Sequence, residues 1–378
     1  MKILEITAFS SGICGVWTRV QNEAEQLAKK GHEVTVFSSN IRRGSEKIEF
    51  AKDSDVLGKV KIKRFKTKGN FGQNTFFWDY EKEALALKPD VIITHVYRQY
   101  YSTKALKIAK KLNIPCILVT HAPFLDKNLR SWKLNFAVWA YDTFIGKRIL
   151  NKYSKILTIT KWELPYLSDL GVNKNKIEYL PNGIPQEFFK SKPKKGKGIL
   201  FLGRIAPIKE IETLINAIYS SKIKGRVDII GPAEEKYKEK LVNLVKKLNL
   251  TNVSFLPPIY DLNEKIKLVD KYDLFVLSSK REAMPQALIE VMARGKIVIS
   301  SKTDGGKEII QDNKNGFLFE IGNEKELGKI LVKVMAMDEK QKNILRKNSL
   351  DSVKQFSWEN LIEKLERILQ NLQSHKNL

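Results

Sequence analysis

Short apolar runs alternate along this chain with segments whose apolar positions recur every three to four residues. The first pattern is that of strands buried on both faces, and the second that of helices with one apolar stripe. In the first half, residues 2–7, 32–37, 60–65, 90–95, 115–121 and 156–160 read as strands. A loop, Ser10-Ser11-Gly12-Ile13-Cys14-Gly15, follows the first of them. It leads into a helix with Val20, Ala24, Leu27 and Ala28 on one stripe, stopped by Gly31. Residues 102–112 read as a helix between the fourth and fifth strands. The rhythm restarts after a basic stretch broken by Pro193, Gly196 and Gly198. Residues 199–202, 227–231, 252–256, 273–278 and 297–300 are the expected strands, with helices at 211–220, 236–248 and around Ala287. A final helix after Phe356-Ser357-Trp358 carries Leu361, Ile362, Leu365, Ile368, Leu369 and Leu372 on one stripe, so it packs on something. Strands alternating with helices predict an α/β protein with two Rossmann-like, doubly wound domains. The expected division is residues 1–190, a linker at 191–198, a second domain at 199–356 and a terminal helical segment at 357–378.

A chain of 378 residues is long for one domain, which agrees with that division. No apolar run approaches the about 18 residues of a membrane-spanning helix. Met1-Lys2-Ile3-Leu4-Glu5-Ile6 enters a strand directly, without the apolar stretch and cleavage site of a signal peptide, so a cytoplasmic location is expected. Cys14 and Cys116 lack the spacing of a disulfide framework or a metal site and are expected to be reduced. The net charge of +25 changes the picture most, since it admits nucleic acid, an anionic membrane face or anionic substrates as partners. The lysines are spread along the chain, however, and recognition-helix, zinc-finger and RNA-binding signatures are absent, so no nucleic-acid partner is expected. A general lysine-rich composition is the competing explanation of the charge.

The most specific chemistry lies in the second half. Ser278-Ser279-Lys280-Arg281-Glu282-Ala283-Met284-Pro285-Gln286-Ala287-Leu288-Ile289-Glu290 follows a strand. Pro285 suits a helix start, where its missing N–H costs nothing. That places Glu282 on the loop at the carboxyl end of the strand and Glu290 about two turns later, inside the helix. Ligands of open α/β sheets bind at those carboxyl ends, and free N–H groups at a helix start suit a phosphate. Two carboxylates flanking such a site suit sugar hydroxyls, because each accepts paired O–H bonds. Upstream, Phe201-Leu202-Gly203-Arg204-Ile205-Ala206-Pro207-Ile208-Lys209 places two cations just after another strand, where they can stabilise charge on a departing diphosphate. The competing readings are a loop charge and a helix glutamate for Glu282 and Glu290, and a solvated loop for Arg204 and Lys209.

Glu282 and Glu290, separated by seven residues and followed by Ala293-Arg294-Gly295-Lys296-Ile297-Val298-Ile299, together with the Gly203-Arg204…Lys209 motif, resemble retaining glycosyltransferases of family 4. The resemblance covers nearly the whole chain. It implies the GT-B fold: two Rossmann-like domains facing across a cleft, with the last helix crossing back to the first domain. It implies an enzyme that moves a sugar from a nucleotide-sugar donor to a hydroxyl acceptor. Glu290 would hold the donor ribose and Glu282 would face the transferred sugar. Arg204 and Lys209 would neutralise the diphosphate, with Met284, Pro285 and Gln286 beside it. Gly12 and Gly15 would lie against the donor from the first domain. His121, followed by Ala122-Pro123, resembles the family's histidine near the transferred sugar, although a lone histidine can equally be structural. His95 also ends a strand. Pro181-Asn182-Gly183-Ile184 matches a family turn, Gly305, Gly306 and Glu308 a further loop, and Asn315-Gly316-Phe317-Leu318-Phe319 a turn and strand. Pro257, Pro258 and Ile259 form a loop expected to meet the nucleobase. Ala283, Pro285 and Pro257 depart from glycines common in the family, which removes backbone freedom there.

The expected reaction is transfer with retention, in which the acceptor attacks the face the diphosphate leaves. A double displacement with a protein nucleophile is the alternative the residues leave open. No Asp-x-Asp pair sits in a metal-binding position, so metal-independent transfer without a cofactor is expected. Residues 129–141, from Leu129-Arg130-Ser131-Trp132 to Tyr141, are rich in aromatics and flanked by Lys127, Arg130, Lys147 and Arg148. They suit peripheral contact with an anionic membrane and a glycan or lipid-linked acceptor. Their apolar residues fall on more than one face, which favours burial in or over the first domain instead. Two other function classes remain: a GT-B nucleotide-sugar epimerase or hydrolase, which needs further acid/base groups beyond His121 and His95, and a basic nucleic-acid-binding module, which would be indifferent to Glu282→Ala.

Overall fold

The computed structural model of the chain describes residues 1–12, 14–43, 48–71, 75–124, 130–190 and 194–374. It divides into two compact units, one of residues 1–183 and 358–378 and one of residues 184–357. The division therefore falls before the helix Glu187–Lys190, ahead of the basic stretch at 191–198, of which residues 191–193 lie outside the described part.

The first unit is built on an eight-stranded sheet. Lys2–Ile6 lies at its middle, parallel to Glu33–Ser39 on one side and to Val91–His95 on the other. Beyond Val91–His95 come Cys116–Val119, Lys155–Thr158 and Ile177–Tyr179, all parallel. Val60–Phe65 pairs in parallel with Glu33–Ser39, and Ser54–Leu57 closes the edge antiparallel. These central strands are apolar on both faces because helices cover both, as parallel sheets require. Ile177–Tyr179 and the hairpin Thr67–Phe71 with Thr75–Trp78 add strands the periodicity does not announce. The final helix, Trp358–Ser374, packs its stripe of Leu361, Ile362, Leu365, Ile368 and Leu369 within this unit, against the helix Gly15–Lys29. A methyl group on Gly183 would stand 2.4 Å from the Trp358 indole, so glycine there admits the ring.

The second unit carries a six-stranded parallel sheet in the order Val253–Leu256, Val227–Ile230, Ile199–Leu202, Leu274–Leu277, Ile297–Ser301, Phe317–Phe319. The chain starts in the middle, winds outward one way and then the other. The order reverses between Ile199–Leu202 and Leu274–Leu277, which is where such sheets open a crevice at their carboxyl ends. Both units share this doubly wound plan, the first reversing between Lys2–Ile6 and Val91–His95.

The helix Trp132–Tyr141 departs from the expected burial: none of its residues is buried. Its apolar residues surround the helix, so no single face matches a core surface. The segment is anchored instead at its far end. There Asp142 accepts from the Tyr97 hydroxyl at 2.9 Å and from Arg98 at 2.8 and 2.6 Å. Lys127 and Leu129 lie outside the described residues. Among the described residues no helix is long and apolar enough to cross a membrane.

Candidate functional site

The second unit gathers the acidic and basic candidates at its switch point. The strand Ile199–Leu202 ends at Gly203, and Arg204 and the 3-10 turn Pro207–Lys209 follow. The strand backbones crowd here: a methyl group on Gly231 would stand 1.9 Å from the Gly203 carbonyl oxygen. The neighbouring strand Leu274–Leu277 runs into the loop that carries Glu282. Lys209 Nζ lies 2.5 Å from Glu282 Oε1, and the Ser279 hydroxyl donates to the same oxygen at 2.6 Å. A cation and a carboxylate from the two loops that flank the switch point are thus already in contact. Glycine supports this loop from below. Gly305 N–H donates to the Glu282 carbonyl at 3.0 Å, and a methyl group on Gly305 would stand 2.5 Å from the Ala283 carbonyl oxygen. Gly305 therefore reads as packing for the Glu282 loop, whereas a methyl group on Gly306 would meet the Ser301 carbonyl oxygen at 2.5 Å.

The helix after that loop is Gln286–Ala293, with Pro285 at its N-cap in extended conformation and no side chain capping it. Pro285 thus stands one residue before the first turn, and its ring makes no capping hydrogen bond to the helix. Glu290 is 2% exposed, accepts from Gln286 Nε2 at 3.1 Å and ion-pairs with Lys265. Met284 is buried beneath the loop. Arg204 is half-exposed and pairs with Glu234 at 3.1 Å, across the ends of adjacent strands. Pro257, Pro258 and Ile259 follow Val253–Leu256, two strands from the Lys209–Glu282 pair in the sheet order.

In the first unit the glycines divide. Gly12 is left-handed, and its missing side chain makes room for the backbone of Arg43, whose oxygen would lie 1.9 Å from a methyl group. Gly15 opens the helix Gly15–Lys29, and nothing lies within 4 Å of the methyl it lacks. His121 stands two residues beyond Cys116–Val119, left-handed at φ 57°, and Ala122 follows at φ 50°. Such conformations cost free energy in non-glycine residues and need outside support. Glu163 supplies it by accepting from Ala122 N–H at 3.0 Å, while Arg98 Nη1 donates to the Pro123 carbonyl at 2.9 Å. Burial pushes the Glu163 carboxyl up to about 7, against the hydrogen bonds it accepts from Thr160 and Ile159.

Behind His121 lies a buried polar cluster. His121 Nε2 stands 3.0 Å from His95 Nδ1, and His95 Nε2 stands 3.2 Å from Glu5 Oε2. Arg19 and Glu23 of the first helix form a buried ion pair at 3.0 Å. Arg19 Nη1 also donates to the carbonyls of Leu180 at 3.0 Å and Pro181 at 2.7 Å, which holds the Pro181-Asn182-Gly183 turn. Burial drives both imidazoles well below the ordinary histidine range, and the Arg19 charge adds to it. Burial and the neighbouring Glu23 drive the Glu5 carboxyl well above its usual range. Glu5, Glu23 and His95 offer ligand atoms within 4.8 Å of one another, but Arg19 already neutralises Glu23, so the cluster is an ion-pair network first. Glu5, Arg19 and Glu23 were not singled out by motif. The signals were a charge inside the apolar run Ile3-Leu4-Glu5-Ile6, and an i,i+4 ion pair on the same helix as the stripe of Val20 and Ala24.

Comparison with known proteins gives a consistent picture. The model of "Glycosyltransferase Family 4" matches residues 13–188, and that of "Glycosyl transferases group 1" matches residues 184–350. The chain is similar to the alpha-monoglucosyldiacylglycerol synthase of Acholeplasma laidlawii, with 28% identity over 92% of this chain and 91% of the relative. Among solved structures it resembles sucrose-phosphate synthase from Thermosynechococcus elongatus, with a TM-score of 0.75, 18% identity and coverage of 99% of both chains. HepE of Anabaena in complex with UDP and glucose follows at a TM-score of 0.74 and 18% identity, over 98% of this chain and 100% of that one.

Proposed function

The chain belongs to the family 4, group 1 glycosyltransferases, with the GT-B fold, and from that premise we propose a metal-independent transfer that retains the configuration at the anomeric carbon. The donor is a nucleotide sugar, and the acceptor is a hydroxyl of a glycan or lipid-linked glycan. The observation that carries the reading is the Lys209–Glu282 contact at the switch point of the second unit, with the buried Glu290 in the helix that follows the same loop. Lys209 and Arg204 meet the diphosphate and stabilise the charge that builds on it as the bond to the sugar breaks. The amides of Gln286 and Ala287 add the positive end of a helix dipole. When the donor arrives, Glu290 accepts hydroxyl hydrogen bonds from the ribose and Glu282 holds the transferred sugar. His121, in the first unit, takes part in the transfer.

A screen of nucleotide sugars by thermal shift and released nucleoside diphosphate tests this. One donor will stabilise the protein, Glu290→Ala will lose that response, and EDTA will leave turnover unchanged. Stabilisation by a donor that Glu290→Ala retains in full would place the site elsewhere.

A second part of the reading is peripheral binding to an anionic bilayer through the segment that begins at Trp132. Trp132, Phe136, Trp139 and Phe144 are 74%, 63%, 55% and 57% exposed, and Lys133, Lys147 and Arg148 stand exposed among them. Aromatic side chains with lysine and arginine alongside suit the boundary between headgroups and acyl chains. The relative that makes a glucosyldiacylglycerol acts on a lipid by its name, which agrees with an acceptor at such a surface. The protein will cosediment with vesicles containing phosphatidylglycerol, less at high salt, and Trp132→Ala with Trp139→Ala will abolish binding. Equal sedimentation of the double variant would remove this surface from consideration.

A further inference from the structure

Behind His121 two buried side chains, His95 and Glu5, stand in series. We propose that Glu5 and His95 are positioning residues that hold His121 as its Nδ1–H tautomer, so that His121 offers a hydrogen-bond donor to whatever it meets. The proposal rests on the reading that His121 takes part in the transfer.

Three side chains are joined in series by two contacts: Glu5 Oε2 to His95 Nε2 at 3.2 Å, and His95 Nδ1 to His121 Nε2 at 3.0 Å. Each contact holds one proton, so the direction of the first fixes the second. If Glu5 is ionised, it accepts from His95 Nε2–H. His95 Nδ1 then accepts from His121 Nε2–H, and His121 Nδ1 is left as an acceptor. If Glu5 is protonated, both bonds reverse, His95 Nδ1–H donates to His121 Nε2, and His121 Nδ1 carries the proton.

The surroundings choose between the two. Glu5 and His95 are fully buried, and His121 is only partly so. Two carboxyls, Glu5 and Glu23, share the site with a single guanidinium, Arg19. Arg19 lies directly against Glu23 at 3.0 Å, which leaves Glu5 as the second carboxylate in a site whose charge is already balanced. A proton on Glu5 removes the surplus negative charge, as happens where two carboxylates crowd one place. Burial above all, and the same guanidinium after it, disfavour a positive charge on either imidazole, so the chain stays neutral along its length. Glu163, which faces the next residue through Ala122 N–H, fixes the backbone and not the ring. Because Nε2 is committed to His95, Nδ1 is the ring nitrogen left for a ligand.

Nitrogen spectra of the imidazoles test this in the full-length protein, which has only four histidines to assign. At neutral pH the His121 signals will show a protonated Nδ1 and an unprotonated Nε2. In His95→Leu the donor to Nε2 is gone, and His121 will revert to the Nε2–H form that free imidazole prefers. His95→Asn places an amide N–H near the lost Nδ1–H and will restore the wild-type pattern. In turnover, His95→Leu will lower kcat by about tenfold to a hundredfold with little change in KM for the donor, and His95→Asn will recover most of it. An Nε2–H or doubly protonated His121 in the wild-type protein overturns the proposal, as does a His121 tautomer indifferent to His95→Leu. Should His95→Leu fail to fold, the wild-type and His95→Asn spectra still decide. The spectra need no substrate. A correct tautomer with unchanged turnover in the variants would therefore overturn the role of His121 in transfer and leave the relay standing.

Discussion

Lys209→Ala will lower kcat for sugar transfer by about two to three orders of magnitude, with a smaller change in KM for the donor. The ammonium sits 2.5 Å from Glu282 at the ends of the two strands that flank the switch point, with 19% of its side chain exposed. A charge held there gains most when negative charge builds on the leaving diphosphate, so its loss appears in the transition state more than in ground-state binding. The substitution also releases Glu282 from its cation and leaves the Ser279 hydroxyl as its remaining partner there. Lys209→Arg keeps the charge but lengthens and flattens the head, and will recover part of the rate. Released nucleoside diphosphate under saturating donor measures both variants. Turnover within about threefold of wild type for Lys209→Ala would show that the diphosphate is stabilised elsewhere.

The largest effect on stability is expected at Arg19. Arg19→Met will cost about 3–5 kcal/mol, the usual consequence of leaving one partner of a buried ion pair alone. Both side chains are buried, and Glu23 is left without its cation. The Leu180 and Pro181 carbonyls lose their donor at the same time, and the Arg19 guanidinium no longer lies over the Trp358 ring, 5.7 Å from its centroid. Adding Glu23→Gln to the variant removes the orphaned charge and will return a good part of the loss. Urea unfolding followed by circular dichroism gives both numbers. A single-variant loss under about 1 kcal/mol would mean that Glu23 is no orphaned charge, because water reaches it or it takes up a proton.

How much of this was legible beforehand depends on the scale of the pattern. Strands and helices with strong period were placed to within a residue or two: Ile199–Leu202 and Ile211–Ser220 fall where the periodicity puts them, because the first is apolar throughout and the second carries a clear apolar stripe. The approach of Lys209 to Glu282 was legible as two motifs but not as a contact, since the residues lie far apart in sequence and meet only through sheet order. Glu5 was passed over because a single charge in a short apolar run has no period of its own; only the packing of three strands and a helix makes it the end of a chain. The helix Trp132–Tyr141 carries apolar residues on more than one face, which favours burial over membrane contact, yet none of its residues is buried. An apolar sequence records that a segment avoids water; it does not record which surface it meets instead.

The placement of Trp358 has a consequence for the order in which the protein can be made. The ring is buried in the first unit, above Gly183, yet it follows all of residues 184–357 along the chain. Ribosomes add about 5–20 residues per second, so the first unit waits on the order of ten seconds with its last helix still unsynthesised. Through that interval the apolar surface of helix Gly15–Lys29 that Trp358–Ser374 will cover faces water. The second unit, continuous in sequence, meets no such delay. The unit that begins first is therefore the one that finishes last.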